Sequence, residues 1–174
     1  MKTIELRRHT LRATPQPHLT QSGVSLARRL GEHMGPFALV VTSLLPRAYE
    51  TAIAMGFAVH EQRQEFGALP LPELVENYEA APPSFARWAE QAAANDAVGE
   101  YVRRQATALR TLLDELDNGE AALVISHGGI VEAGAVGCLP QFDWALAGDA
   151  VSYCEGVHLT FEGAQCIQVK MLRV

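Results

Sequence analysis

Three short stretches of this 174-residue chain combine arginine, histidine and glycine in a way that suits phosphate chemistry. Arg8 and His9 stand side by side, Arg47 follows Ser-Leu-Leu-Pro, and His127 precedes the pair Gly128-Gly129. Guanidinium groups present planar pairs of donors that match phosphate oxygens two at a time. Adjacent glycines at a helix start let backbone N–H groups approach an anion closely. Together these residue types predict a site for a small dianion.

His9 is the candidate for covalent chemistry within that site. A neutral imidazole beside fixed cations has a lowered pKa, so it stays deprotonated and nucleophilic near pH 7. The hypothesis is therefore phosphoryl transfer through a phosphohistidine at His9. Either His9 or His127 alone would more often be a structural histidine, and it is their joint position beside arginines that favours catalysis. Ser43 and Ser126 lack the Gly-x-Ser-x-Gly setting of a serine nucleophile, so we expect them to form hydrogen bonds at strand ends.

These residues can meet only if one sheet brings them together, and the apolar pattern predicts such a sheet. Thr3–Arg7 is interpreted as a first strand, and the apolar stretches Phe37–Val41 and Ala121–Ile125 are typical of buried strands. Their alternation with helical patterns predicts an α/β fold of three layers, α/β/α, with a mostly parallel central sheet. Because parallel strands end at one edge of a sheet, the three stretches, each of which follows a strand, should converge there.

Helices and a hairpin account for the rest of the predicted fold. Thr20 suits the position that caps a helix. Alternating apolar residues over 157–161 and 167–171 predict a C-terminal hairpin that forms an antiparallel edge of the sheet. We expect helices from Thr20 to Gly35, from about Pro46 to Met55, over Phe85–Asn95, along the apolar stripe from Val102 to Leu116, and after Gly129.

The segment 58–83 is the least regular part of the chain. It contains Pro70, Pro72, Pro82 and Pro83, and its charge is largely acidic. We interpret it as a short excursion from the core rather than a second domain. The expected organisation is a single domain over residues 1–174, with a small cap at about 58–100.

Composition excludes several classes of protein. Apolar residues make up 48% of the chain and charged residues 20%, which argues against a disordered or fibrous protein. The net charge of −6 disfavours nucleic acid or an anionic membrane as a partner, and no apolar run approaches the length of a membrane span. Three widely spaced cysteines, Cys138, Cys154 and Cys166, do not suit a disulfide framework or a zinc site. A cytoplasmic protein without a signal peptide is the expectation.

Four motifs in order resemble those of the histidine phosphatase superfamily, also called the phosphoglycerate mutase-like family. They are LRRHT, HLTQSG, TSLLPRAYETA and VISHGG, and the resemblance covers about residues 3–57 and 121–137. It implies that His9 is the nucleophile that becomes phosphorylated. It also implies that Arg8, Arg47 and His127 line the phosphate pocket, with His127 stabilising the transferred group, and that neither a metal nor a cofactor takes part.

The resemblance further implies that a glutamate of the cap protonates the leaving oxygen. Glu76, in Leu74-Val75-Glu76, fits the family's Leu-x-Glu pattern best. Glu73 and Glu79 remain alternatives. An unperturbed glutamate has a pKa near 4.3, so the acid must be raised by burial or by its ligand.

The sequence departs from the family pattern directly after His9. Thr10 stands where the family usually has glycine, and it would be strained if that position required a positive φ. Otherwise its hydroxyl offers phosphate one more hydrogen bond. The family's polar residues that follow are replaced by Leu11–Pro15, so Arg12 or His18 is expected to supply substrate contacts. The candidate substrate-binding residues are Thr10, Arg12, Thr20 and Gly128.

A small phosphatase is the preferred functional interpretation. Its substrate would be a phosphomonoester, either a small metabolite or a phosphorylated protein side chain such as phosphohistidine. A short cap leaves the pocket open to water, which favours hydrolysis over mutase chemistry. The alternatives are a phosphomutase and a non-catalytic module that binds a phosphorylated ligand. The protein is expected to be a monomer or a homodimer, since the terminal hairpin offers an edge that can pair.

Overall fold

The computed structural model describes residues 1–67, 69 and 82–174, and the strands within them form one six-stranded sheet in the order β3-β2-β4-β1-β5-β6. The pairs β3–β2, β2–β4 and β4–β1 are parallel, whereas β5 pairs antiparallel with β1 and β6 with β5. The predicted α/β fold, mostly parallel with an antiparallel C-terminal hairpin, is confirmed. The strands are β1 (Lys2–Arg8), β2 (Leu39–Thr42), β3 (Glu61–Gln62), β4 (Ala121–Ser126), β5 (Gly156–Glu162) and β6 (Gln165–Leu172).

Five α-helices lie in the described residues, and side chains cap several of them. The Thr20 hydroxyl accepts a hydrogen bond from the Gly23 N–H over 3.0 Å, as the sequence predicts for a helix start. Asn95 caps the longest helix in the same way through Ala97 and Val98. The helices are α1 (Gln21–Gly31), α2 (Pro46–Ala54), α3 (Phe85–Ala94), α4 (Asp96–Thr111) and α5 (Ile130–Cys138).

Helices cover both faces of the sheet, which produces the predicted three layers. Along β4, Val124 packs into one hydrophobic cluster and Ile125 into another, because successive side chains of a strand point to opposite faces. The larger cluster includes Trp88 of α3, with α4 and α5, and the smaller includes Ala27 of α1, with α2. Burying a side chain as large as Trp88 stabilises the fold by at least about 2–3 kcal/mol. None of the helices in the described part of the chain combines the length and apolar character needed to cross a bilayer.

Part of the segment expected to leave the core belongs to it instead. β3 extends the sheet beside β2, and Phe66, Phe85 and Trp88 are fully buried. The sequence did not indicate β3 because two residues are too few to show a strand period. Pro70 and Pro72, which supported the cap prediction, lie outside the described residues, as do positions 68 and 71–81.

The carboxyl ends of β1, β2 and β4 meet at one edge of the sheet. Arg8 is in register with Ser126 at the last residues of β1 and β4. Hydrogen bonding continues one step further, since the His9 N–H donates to the Ser126 carbonyl over 2.9 Å and the Ser43 N–H donates to the Ile125 carbonyl over 3.1 Å. The ladder therefore places the residues that follow the three strands next to one another.

Candidate active site

A cavity of about 520 Å³ opens at this edge of the sheet. It brings together six residues that the sequence singled out, from three separate parts of the chain. These are Arg8, His9, Arg12, Arg47, His127 and Gly128, and the other described residues of the wall are Thr14, Gly67, Leu69, Pro82, Ile130 and Tyr153.

The His9 imidazole has a fixed tautomer and a fixed direction. Its Nδ1 lies 2.6 Å from the Thr10 carbonyl oxygen, which can only accept, so Nδ1 carries the hydrogen and donates it. Nε2 therefore keeps its lone pair, toward which Arg47 Nε donates over 3.1 Å. The side chain is only 4% exposed. The free nitrogen of His9 thus faces the cation that would hold a phosphoryl group.

Both histidines of the cavity are neutral at physiological pH. Burial lowers the pKa of His9 to about 3, with further lowering by the charges of Arg47, Arg8 and Arg12, against the opposing hydrogen bond to Thr10. Burial likewise lowers the pKa of His127 to about 2, assisted by the same cations. A neutral imidazole is what nucleophilic attack by His9 requires.

His127 lies beside His9 and is oriented by a serine. The two ring centroids are 5.1 Å apart, and Ser43 Oγ is 2.8 Å from His127 Nε2. The Leu45 N–H donates to the same oxygen, so the Ser43 hydroxyl can give its hydrogen to Nε2. In that tautomer Nδ1 is an N–H donor, and this atom is buried without a hydrogen-bond partner among the described residues. This arrangement fits the expectation that Ser43 bonds at the strand end.

The arginines leave positive charge in the cavity without a balancing carboxylate. Arg8 Nη1 donates to the Val151 carbonyl over 2.9 Å, its guanidinium lies 4.5 Å from the Tyr153 ring centroid, and its buried Nε has no partner. Burial and repulsion by Arg12 and Arg8 lower the pKa of Arg47. Among the described residues, no carboxylate lies within 4.0 Å of Arg8, Arg12 or Arg47. Unpartnered buried donors and uncompensated cations are the features that binding of an anion requires.

The start of α5 forms another part of the cavity wall, and a buried carboxylate fixes it. Gly129 has φ 80°, a backbone angle that favours glycine, and it precedes the first turn of the helix. Its N–H donates to Glu132 Oε2 over 2.6 Å, and the Val151 N–H donates to Glu132 Oε1 over 2.8 Å. Glu132 is completely buried, and burial raises its pKa to about 7 against these hydrogen bonds. This side chain joins the helix start to the loop that holds Arg8.

The structure corrects the expectations for Thr10 and Thr20. Thr10 is completely buried, its hydroxyl donates to the Gly23 carbonyl over 3.0 Å, and its N–H donates to Thr51 Oγ1 over 3.1 Å. Its φ is not positive, so the β-branched side chain is not strained. Thr20 uses its hydroxyl to cap α1. Neither residue lines the cavity.

The three glutamates predicted as alternatives for the general acid are Glu73, Glu76 and Glu79, and all lie outside the described residues. Leu69 and Pro82, which stand on either side of that segment in the sequence, both line the cavity.

Sequence reasoning missed Tyr153 and Glu132. The Tyr153 ring centroid is 5.8 Å from that of His9, and the next residue, Cys154, has φ 63° and donates its N–H to the Arg8 carbonyl over 3.1 Å. The antiparallel pairing of β5 with β1 brings this loop beside Arg8. The sequence predicted the C-terminal hairpin, but it did not indicate that β5 would pair with β1 and so bring Tyr153 to the cavity.

A known protein family is similar in sequence to almost the whole chain. A family model described as histidine phosphatase superfamily (branch 1) matches residues 3–172. No curated protein is significantly similar to the chain.

Solved structures share the fold at low sequence identity. Phosphoserine phosphatase from Entamoeba histolytica, in complex with 3-phosphoglyceric acid, is 16% identical with a TM-score of 0.73, over 100% of this chain and 98% of that one. A mycobacterial glucosyl-3-phosphoglycerate phosphatase complexed with VO3 is 17% identical with a TM-score of 0.69, over 99% of each chain.

Proposed function

The chain belongs to the histidine phosphatase superfamily, branch 1, and we propose that it hydrolyses phosphomonoesters through a phosphohistidine at His9. The observation that carries this proposal is the His9 imidazole, with a protonated Nδ1 on the Thr10 carbonyl and a free Nε2 beside Arg47. The phosphatases among the structural neighbours support the reaction class.

The reaction proceeds in two displacements. His9 Nε2 attacks phosphorus, the ester P–O bond breaks, and the leaving oxygen takes a proton from the general acid. Water then attacks the phosphohistidine, loses a proton to the same carboxylate, and releases inorganic phosphate and free His9. Arg8, Arg47 and His127 donate to the phosphoryl oxygens as charge develops, and one such preorganised donor is worth about 3–4 kcal/mol of the barrier.

Glu76 is the residue that we assign as the general acid, with Glu73 and Glu79 as the other candidates. Leu69 and Pro82 support the assignment, because they line the cavity and stand on either side of these glutamates in the sequence. A carboxyl group placed near the leaving oxygen completes an otherwise cationic site.

The site needs no metal ion in this proposal. Arg8, Arg47 and the N-terminus of α5 supply the positive charge that a metal would otherwise provide. The substrate is a phosphorylated small molecule or a phosphorylated protein side chain, and a cavity of about 520 Å³ favours the small molecule.

A non-catalytic phosphate-binding module was proposed from the sequence because Thr10 replaces glycine and the loop that follows it departs from the family pattern. The first reason is removed, since Thr10 packs in the core with an ordinary φ and does not line the cavity. Measurement of turnover decides between the two functions.

Release of p-nitrophenol from p-nitrophenyl phosphate in the presence of EDTA tests the proposal. We expect turnover by the wild-type protein and loss of at least about 10³-fold in His9→Ala, because the nucleophile is absent. Quenched reactions of the wild type should contain acid-labile, alkali-stable protein phosphate. The exposed His33 provides the matched control, and His33→Ala should retain full activity.

Two results would contradict the proposal. Turnover that persists in folded His9→Ala excludes this residue as the nucleophile. If the wild type binds phosphate but shows no turnover, the protein is a binding module. If EDTA abolishes the activity, only the proposed metal independence is contradicted.

A further inference from the structure

We propose that Arg12 forms a second anion subsite, so that the preferred substrate carries a further anionic group beside the phosphoryl group that is transferred. The inference rests on the proposed phosphatase function and specifies its substrate class. The second group is a carboxylate or another phosphate, which share the chemistry that a guanidinium recognises.

The charge balance of the cavity is the first argument. Arg8, Arg12 and Arg47 all line it, and none has a carboxylate within 4.0 Å among the described residues. By contrast, Arg7 and Arg173 each pair with a glutamate. A phosphomonoester carries between about 1.5 and 2 negative charges at pH 7. Three cations therefore exceed what the phosphoryl group can neutralise.

The arginines divide into two that face the reacting group and one that does not. Arg47 Nε is 3.1 Å from His9 Nε2. The Arg8 guanidinium lies 4.5 Å from the Tyr153 ring centroid, which is 5.8 Å from that of His9. In the described part of the chain, the Arg12 side chain makes no hydrogen bond to either histidine, in contrast to Arg47. Arg12 therefore lines the cavity without engaging the reacting imidazole, and its guanidinium is available to a second anionic group.

The backbone that carries Arg12 is held firmly against α2. Arg12 forms a β-bridge with Leu19, and the Ala13 N–H donates to the His18 carbonyl over 2.8 Å. Glu50 of α2 accepts from the Leu19 N–H over 2.9 Å and bonds to His18 Nδ1. Holding the loop in place reduces the entropy lost when Arg12 engages a ligand. The Arg12 side chain is half-buried and lines the cavity.

Two matched substrate pairs test the subsite. O-Phosphoserine and O-phosphoethanolamine differ only in a carboxylate, while propane-1,3-diol bisphosphate and its monophosphate differ only in a second phosphate. We expect the wild type to prefer the doubly anionic member of at least one pair by about tenfold or more in kcat/KM, which is the effect of one well-placed ion pair. The pair that shows the preference identifies the second group.

Arg12→Gln should reduce kcat/KM far more for the doubly anionic member, so that the preference falls toward one. Arg29→Gln removes the same charge from an exposed position of α1 and should leave the preference intact. The subsite proposal is overturned if neither pair is discriminated, or if Arg12→Gln lowers both members of each pair equally. Failure of the proposed function would look different, because then no phosphomonoester, p-nitrophenyl phosphate included, would be turned over.

Discussion

The His9 imidazole is held at both nitrogens, by the Thr10 carbonyl at Nδ1 and by the Arg47 guanidinium at Nε2. The Nδ1 contact selects the tautomer, and the Nε2 contact occupies the lone pair until a substrate arrives. In the proposed mechanism, the incoming phosphorus takes the place of the Arg47 N–H at Nε2, and Arg47 then donates to the phosphoryl oxygens. The same guanidinium would thus protect the proposed nucleophile before substrate binds and would bind the group that it attacks.

Proton donation by Glu76 predicts an effect that depends on the leaving group. Glu76→Gln should lower kcat/KM for an alkyl phosphate by about 10²–10⁴-fold, because its alkoxide leaves poorly without a proton. The kcat/KM for p-nitrophenyl phosphate, which reports the steps up to phosphorylation of His9, should fall much less, since p-nitrophenolate is a good leaving group. Steady-state kinetics with both substrates checks this. If Glu73→Gln or Glu79→Gln shows the pattern instead, that glutamate is the acid.

For individual residues, the sequence predicted positions best where the residue lay within a motif at the end of a strand. Arg8, His9, Arg47 and His127 were predicted to share one pocket, and the structure brings them to one cavity. Thr10 was misjudged because its hydroxyl donates to the Gly23 carbonyl and its N–H donates to Thr51 Oγ1, and both partners are distant in sequence but adjacent in the fold. Local motifs do not contain such partners.

Two elements that shape the cavity, the start of α5 and the loop before β5, are joined by the Glu132 carboxylate. Each of its oxygens accepts one backbone N–H, from Gly129 and from Val151, whose carbonyl in turn accepts from Arg8. Displacing either element would therefore move a donor of the proposed phosphate site.

Glu132→Gln tests this connection. The glutamine amide has one acceptor oxygen, so either the Gly129 or the Val151 N–H would face an NH₂ group. Leaving a buried donor unsatisfied costs about 1–3 kcal/mol, and urea unfolding should show a loss of that size. We also expect phosphate affinity of the folded variant to fall about tenfold. Exposed Glu162→Gln is the control. Unchanged phosphate affinity in Glu132→Gln would show that the carboxylate only stabilises the fold.

Element prediction succeeded where apolar patterns were long and failed where tertiary contacts decided. The stripe from Val102 to Leu116 and the terminal hairpin were recognisable from their periods alone. The second predicted strand, Phe37–Val41, begins two residues later as β2, because Phe37 packs edge-on against Phe57 with ring centroids 5.1 Å apart. Tertiary packing, which single-sequence patterns do not encode, sets such boundaries.

The whole molecule concentrates positive charge at one edge of a protein whose net charge is −6. The cavity therefore attracts anions through local charge alone, while the overall negative charge disfavours extended polyanions.

Buried titratable groups also make the stability of the molecule depend on pH. His9 and His127 bind protons near pH 6.5 when unfolded but only near pH 3 and pH 2 when folded, so acid favours unfolding. Glu132 acts oppositely, because its folded pKa of about 7 exceeds its ordinary 4.5. Between pH 6.5 and 4.5 the unfolded state therefore binds about one more proton. The free energy of unfolding should fall by up to about 1.4 kcal/mol for each pH unit of acidification.

Urea unfolding at pH 6.5, 5.5 and 4.5 without phosphate measures this slope. His127→Asn removes one imidazole that gains a proton on unfolding, so the slope over this range should be clearly smaller than that of the wild type. A wild-type protein whose stability stays constant or rises on acidification through this range would show that the two imidazoles are protonated in the folded state.

The parallel pairing of β1 with β4 has a consequence for how the chain tolerates changes in length. Because Arg8 and Ser126 are in register, the hydrogen-bond ladder between β1 and β4 sets the distance between the imidazoles of His9 and His127. Inserting or deleting one residue in either strand would shift one ring by about 3.3 Å and turn it to the opposite sheet face. The turn at Gly163, between β5 and β6, lies at the end of the sheet away from the cavity. A loop at that turn can lengthen without changing the distance between the two imidazoles.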